Sequence, residues 1–372
     1  MHKHILLAGT VSCLVCSLAL AQSAPVKIRI APEQPLIERR GPEQHLNFDF
    51  LLENTGTKAL RIVRIELSIY DADNKLELRR MIDENGSPSG ISTIPQREFA
   101  PGNLLGIFNP FYSFGEETKL IEMRYRFFFA PSDTKLSSPI DYESLAEVSI
   151  SPQDYRGKTE LELPLKMRSI IFDGHDYYAH HRRQDLANPD FQKLGITKNP
   201  VRYGYDFCPV NRDGDMYRES PYKKENWYGY GAPLYAPGKG VVVVAVDGVP
   251  ENEYKGKDVV YAESSDLESS IAGNHLVIDH GNGEFSVLSH MKTGSLRVKK
   301  GERVERGQLL GQLGFSGDAF IPHLHYMIMD GVALNSEGLP SYFRNFRRVL
   351  GSRVVKVSKD QIDSGDIVEV AK

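Results

Sequence analysis

The sequence predicts an all-β chain whose first folded unit is an immunoglobulin-like β-sandwich. Three observations carry this. Apolar residues alternate with a period of two in a series of short segments, turn-forming residues separate those segments, and the first half holds no sustained helical period. A length of 372 residues is about twice what one domain needs, so a second domain is expected. Hydrophobic residues at 41% and charged residues at 25% are globular values, which exclude a wholly disordered chain or a multi-span membrane protein. The net charge of −4 lacks the basic excess of a nucleic-acid binder.

Residues 1–21 read as an export signal. Met1 to His4 is short and basic, an apolar stretch begins at Ile5, and Ala19-Leu20-Ala21 supplies a small-residue cleavage site before Gln22. The apolar run is short and carries Gly9, Thr10, Ser12 and Ser17, so cleavage is expected to leave no stable membrane span. Cys13 and Cys16 leave with the signal. Cys208 then stands alone, which excludes an internal disulfide, and it reads as a small buried residue.

Residues 22–165 are assigned to the sandwich. Its strand signals are Val26, Ile28 and Ile30; Leu46, Phe48, Phe50 and Leu52; Ile65, Leu67 and Ile69; Ile121, Met123, Tyr125 and Phe127; and Leu161, Leu163 and Leu165. Asn54-Thr55-Gly56, Asn85-Gly86 and Pro101-Gly102-Asn103 supply the turns. About seven strands are expected. No catalytic constellation occurs there.

Residues 166–345 hold most of the histidines. In Pro322-His323-Leu324-His325-Tyr326, the two imidazoles sit at i and i+2, which share one face of a strand. Upstream, Asn274-His275-Leu276-Val277-Ile278-Asp279-His280 runs into the hairpin turn Gly281-Asn282-Gly283, followed by the strand that ends at Ser289-His290. With Arg202-Tyr203-Gly204-Tyr205-Asp206-Phe207 before it, this ordered set resembles the lysostaphin-like (LytM-type) zinc metallopeptidases over roughly Tyr203 to Met329. The resemblance implies a lysostaphin-type antiparallel β-sheet peptidase domain. It makes Asp206 and His325 ligands of Zn2+, and His290 and His323 the catalytic histidines that are not ligands. His275 and His280 match no functional position.

One position departs from the family pattern. Where its first ligand His stands, four residues before the Asp, this chain has Arg202, and a guanidinium has no lone pair for a metal. Either the metal has been lost or another His takes the place. Tyr177-Tyr178-Ala179-His180-His181-Arg182-Arg183 supplies one, and paired histidines upstream of such a strand resemble a branch with the first ligand displaced. His181 is the expected ligand and His180 the alternative. Neighbours on an extended segment point to opposite faces, so only one of the pair should reach the metal. Asp185 repeats the H-x-x-x-D spacing after His181, but Asp206, beside Gly204, matches the family strand better.

Two His and one Asp, with a fourth position open to water, form a catalytic rather than a structural zinc arrangement. The implied function is an exported zinc metallo-endopeptidase of bacterial cell-wall peptidoglycan, periplasmic or associated with the cell envelope. The alternative, invited by Arg202, is a metal-free cell-wall binder or activator of another hydrolase. A lipoyl-type carrier, suggested by the paired V-x-x-G repeats from Val298, would have no use for His290, His323 and His325. The acidic stretch from Asp247 to Gly273 reads as a solvated loop able to wall the cleft. Residues 346–372 read as a C-terminal tail.

Overall fold

The computed structural model describes residues 22–135 and 142–371; the export signal lies outside the described residues. Among the described residues no helix is long and apolar enough to cross a membrane.

The first unit is the β-sandwich that the period-two pattern predicts. A six-stranded sheet runs in the order Gln22–Ser23, Ser144–Ile150, Glu122–Pro131, Leu60–Tyr70 and Leu76–Asp83, with Glu98–Phe99 also on Leu60–Tyr70. A three-stranded sheet (Val26–Ala31, Asp49–Asn54, Leu104–Phe108) and a four-stranded one share its core. Alternation explains the burial directly. Met123, Tyr125, Phe127 and Phe129 are fully buried, while Arg124 and Arg126 between them pair with Glu122 and Glu147 at the surface. The Leu46–Leu52 segment is not one strand. The chain turns at Asn47, whose amide donates to Glu38, so Glu43–Leu46 and Asp49–Asn54 belong to different sheets.

An 11-stranded sheet dominates the second unit, in the order Arg303–Val304, Gly240–Val246, Asn274–Asp279, Phe285–Met291, Leu324–Met329, Tyr205–Pro209, Ser169–Ile171, Ile367–Val370, Phe343–Leu350 and Arg353–Asp360; Gly338–Leu339 pairs with Leu324–Met329. Its pairings are antiparallel. One face carries Tyr205, Phe207, Leu276, Ile278, Leu288, Leu324 and Tyr326 into the core. By alternation the opposite face carries Asp206, His325, Ser289 and His275.

Two boundaries differ from the sequence reading. Leu161, Leu163 and Leu165 belong to the second core, where Leu161 bridges Phe343 and Leu165 bridges Leu234. A period-two triplet shows which way side chains alternate but not which sheet receives them. Residues 346–372, read as a tail, supply strands to the 11-stranded sheet as far as Val370, with Phe346, Ile362 and Val368 buried.

The two units meet through polar and aromatic contacts. Arg202 Nη1 donates to Asp49 Oδ2 at 2.7 Å, Arg202 Nε donates to Glu337, and Arg202 Nη2 donates to the Ala31 carbonyl at 3.2 Å. Tyr155 donates to Glu284 at 2.7 Å, Gln361 donates to Glu38 at 3.1 Å, and Tyr112 stacks on Tyr177.

Candidate metal centre

The register of three strands makes the site. Asp206 lies opposite His325, and His325 lies opposite Ser289, so these residues form one row across the sheet. The next pairing is irregular. Asn274 pairs with Met291 and Leu276 with Leu288, so the single residue His275 opposes both Ser289 and His290. This is a β-bulge, and His290 adopts φ 60° within it. The bulge turns its ring toward His323, with centroids 4.7 Å apart.

Donor atoms of His181, Asp206 and His325 all lie within 4.8 Å of one another. His325 Nδ1 is 3.0 Å from Asp206 Oδ1, and His181 Nε2 is 3.8 Å from Asp206 Oδ2. Asp206 Oδ2 and His325 Nε2 are buried with no hydrogen-bond partner among the described residues. A buried carboxylate oxygen and a buried ring nitrogen left unpaired side by side are costly, and a cation between them removes that cost. The donor set fits a divalent metal with nitrogen and oxygen ligands.

Gly204 makes room for this approach. A Cβ there would stand 3.0 Å from His325 Cε1 and 3.3 Å from His181 Nδ1, so any larger residue pushes on both rings.

His180 and His181 do not lie on an extended segment. His180 has αR geometry, and His181–Arg183 is a 3₁₀ turn, so the opposite-faces argument does not apply. Asp173, just beyond the Ser169–Ile171 strand, organises this turn by accepting the backbone N–H groups of His180 and His181 at 2.9 and 3.0 Å. Both rings also approach it. His180 Nδ1 is 3.2 Å from Oδ1, and His181 Nδ1 is 2.7 Å from Oδ2 at an angle short of a good hydrogen bond. With Nδ1 turned to Asp173, His181 presents Nε2 to Asp206. His180 belongs to a second donor group with Asp173 and His181, and its side chain is 59% exposed. The sequence reading missed Asp173. The available signal was an acidic residue at a strand end just before a His pair.

Two further histidines complete the cluster. His290 Nδ1 donates to the Ser316 carbonyl at 2.9 Å and His323 Nδ1 to the Ile321 carbonyl at 2.8 Å. A carbonyl only accepts, so each Nδ1 carries the proton and each Nε2 is left for other work. His323 Nε2 is 3.2 Å from Asp206 Oδ1. Burial favours a protonated Asp206. The His323 and His181 imidazoles, with hydrogen bonds from His323 and His325, overcome this and hold it well below the usual carboxylate range. Burial pushes His290 well below the usual imidazole range, and His323 and His325 add to the effect. Burial also draws His325 down, to about 4. For His323 the Asp206 carboxylate outweighs burial and raises it.

The remaining sequence candidates lie elsewhere. Asp185 accepts from the Ala187 N–H and faces Gly106 of the sandwich. His280 is held by the Lys239 carbonyl and the Ser286 hydroxyl. Cys208 is buried, and burial pushes its thiol up. Arg202 points to Asp49 and Glu337 rather than into the cluster. The centre opens into a cleft of about 340 Å³, which Tyr261, Glu268, Ile271 and Ala272 of the acidic insertion help to line.

Residues 228–336 match the model of peptidase family M23, a span that holds His290, His323 and His325. The chain carries a peptidase family M23 domain. It is 34% identical over 107 residues to peptidoglycan DD-endopeptidase ShyA of Vibrio cholerae, covering 28% of this chain and 20% of that protein. With peptidoglycan DD-endopeptidase ShyC of the same organism it shares 30% identity over 152 residues, 40% of this chain and 28% of the relative. The chain thus spans under a third of the length of these relatives. The catalytic domain of the antimicrobial peptidase lysostaphin from Staphylococcus simulans aligns at 20% identity with a TM-score of 0.21, over 34% of this chain and 86% of that one.

Proposed function

We propose that this protein is an exported zinc metallo-endopeptidase hydrolysing peptide bonds in bacterial cell-wall peptidoglycan, in the periplasm or at the cell envelope. The observation that carries the reading is the convergence of His181, Asp206 and His325 beside two histidines whose Nδ1 protons are already committed. Zinc bound by these three residues would supply a Lewis acid and acidify a water. His290 and His323 take the proton-handling roles. A neutral Nε2 accepts a proton from the attacking water, and the other ring donates to the developing oxyanion or the leaving amine. His323 Nε2, 3.2 Å from Asp206 Oδ1, is placed beside the ligand set for the donor role.

The metal-free activator reading drew its motive from Arg202. That side chain is occupied by the junction between the domains, and His181 Nε2, 3.8 Å from Asp206 Oδ2, supports a replacement ligand.

Purified protein is expected to hold about one zinc per chain and to solubilise peptidoglycan, with activity lost on chelation and regained on zinc addition. His290→Ala and His323→Ala should each keep the metal while slowing hydrolysis by about 10²–10⁴. Zinc-free protein that stimulates a separate hydrolase would establish the activator reading instead. Loss of zinc from either variant would overturn the division between ligands and proton carriers.

Gly204→Ala tests the packing around the ligands. The added methyl must displace the His325 and His181 rings, an effect comparable to losing an outer-sphere partner, so zinc affinity should fall about 10–100-fold in a chelator competition. Undiminished affinity would mean that the rings can yield without cost.

A further inference from the structure

The stretch from Asp247 to Gly273 is not solvated throughout. Asn252, within it, is fully buried, and each of its polar groups is engaged. Its backbone N–H donates to the Phe315 carbonyl at 2.7 Å, and Nδ2 donates to the Gly317 and Ala319 carbonyls at 2.9 and 3.1 Å. Oδ1 accepts the Ala262 N–H at 2.9 Å, and the Asn252 carbonyl accepts from Lys224 Nζ at 3.2 Å. Glu251 bridges Ser316 alongside. These contacts bracket Ser316 from both sides.

Ser316 is the residue that holds His290. Its carbonyl accepts the His290 Nδ1 proton at 2.9 Å, and the nearby Gly314 N–H donates to the His290 carbonyl at 2.9 Å. The loop from Phe315 to Ala319 and its entry thus grip the ring and the backbone of a residue at φ 60°. The Ser316 hydroxyl donates to the Met291 carbonyl at 2.9 Å and accepts the Asn274 N–H at 3.0 Å, which fixes the near end of the loop. The insertion fixes the far end, through Asn252 and through the Ile271 carbonyl, which accepts the Asp318 N–H at 3.0 Å. Gly273 and Gly317 pass so closely that a Cβ on either would strike the other segment. The Nδ1 proton needs a stationary acceptor. If the Ser316 carbonyl drifts, the ring loses the contact that fixes its tautomer, and Nε2 is no longer reserved as an acceptor.

We infer that Asn252 is a positioning residue for His290: it clamps the Phe315–Ala319 loop and so holds the Ser316 carbonyl that sets the orientation and tautomer of the ring. The inference rests on the peptidase reading for giving His290 a proton to carry. It gives the insertion a part in the reaction beyond walling the cleft.

The test compares the parent, Asn252→Ala and Asn252→Asp as full-length, zinc-supplemented proteins. Asn252→Asp keeps the shape of the side chain and the acceptor for Ala262, and it replaces the donor facing Gly317 and Ala319 with a second acceptor. It therefore reports on the clamp even where Asn252→Ala fails to fold. On soluble cross-linked peptidoglycan fragments, each variant should lower kcat by about 10–100-fold, with KM and zinc content close to the parent's. In a His290→Ala background the same substitutions should cost little more, because the ring they position is gone. With isotope-labelled histidine, the His290 Nδ1–H resonance, assigned by its loss in His290→Ala, should be protected from exchange in the parent and lose that protection in both variants. An unchanged kcat beside an active parent, an equal loss in the His290→Ala background, loss of zinc, or an unaltered Nδ1–H resonance overturns the proposal. The resonance is read without turnover. A parent that shows it, loses its protection in the variants and hydrolyses nothing would leave the positioning role standing and sink the peptidase reading.

Discussion

His181→Ala should abolish tight zinc binding, whereas His180→Ala should leave it largely intact. The two rings are neighbours with centroids 4.1 Å apart, yet their surroundings differ. His181 is mostly buried, packs edge-on against His325, and aims Nε2 at Asp206. His180 is largely exposed and directs Nδ1 at Asp173. Removing one of three protein ligands should cost far more than the roughly 10–100-fold typical of an outer-sphere partner. Asp173→Asn should fall in that smaller range, because it disturbs the carboxylate that holds the 3₁₀ turn and the His181 ring. Zinc titration of the three variants decides the assignment. Retained zinc in His181→Ala with lost zinc in His180→Ala would reverse it, and normal zinc in both would require a different first ligand.

Arg202→Met should be the most destabilising single change outside the metal centre. The guanidinium is 1% exposed and pairs with Asp49 and Glu337, which are themselves buried. Breaking a buried ion pair from one side leaves its partners charged and unpaired, at a cost of about 3–5 kcal/mol. The loss should depend on pH. Burial already raises both carboxyls against the pull of Arg202, and without that pull they rise further. A carboxyl with a folded pKa above its unfolded value loses its contribution to stability as pH increases through the folded pKa. The deficit of Arg202→Met relative to the parent should therefore be larger at pH 8 than at pH 5, as read by denaturant unfolding. Combining it with Asp49→Asn and Glu337→Gln should recover part of the loss. A pH-independent deficit would show that the carboxylates find other partners.

The sequence made some features legible because they depend on local order alone. Period-two alternation gives strand faces, so the burial of Tyr125 and Phe127 follows from it. Other features depend on which distant segment arrives. Leu161 to Leu165 alternate like sandwich strands but pack in the second core, because alternation carries no address. The strands after Phe343 carry Arg344, Arg347 and Arg348, and their charge reads as a tail until Glu160, Glu369, Asp360 and Asp366 are seen to pair with them. Arg202 raised the question of metal loss because a missing ligand is visible in sequence. Its carboxylate partners, one 153 residues upstream and one 135 residues downstream, are not. The His180–His181 pair was found, but the turn that orients it is set by Asp173 and could not be read from spacing.

The turn bearing Asp173 and His181 is held by parts of the chain that are far apart in sequence. From the late part, the Ile362 carbonyl accepts the His175 N–H at 2.9 Å and the Ser364 hydroxyl accepts the Gly174 N–H at 3.0 Å. From the early part, Glu38 joins Gln361 across 323 residues, and Tyr112 stacks on Tyr177. Loop-closure entropy opposes such non-local contacts, so this corner depends on distant segments of the chain being brought together. A chain only partly folded would lack the ligand geometry even with both strand histidines in place. The position of the proposed first ligand is in this way tied to contacts from both early and late parts of the chain.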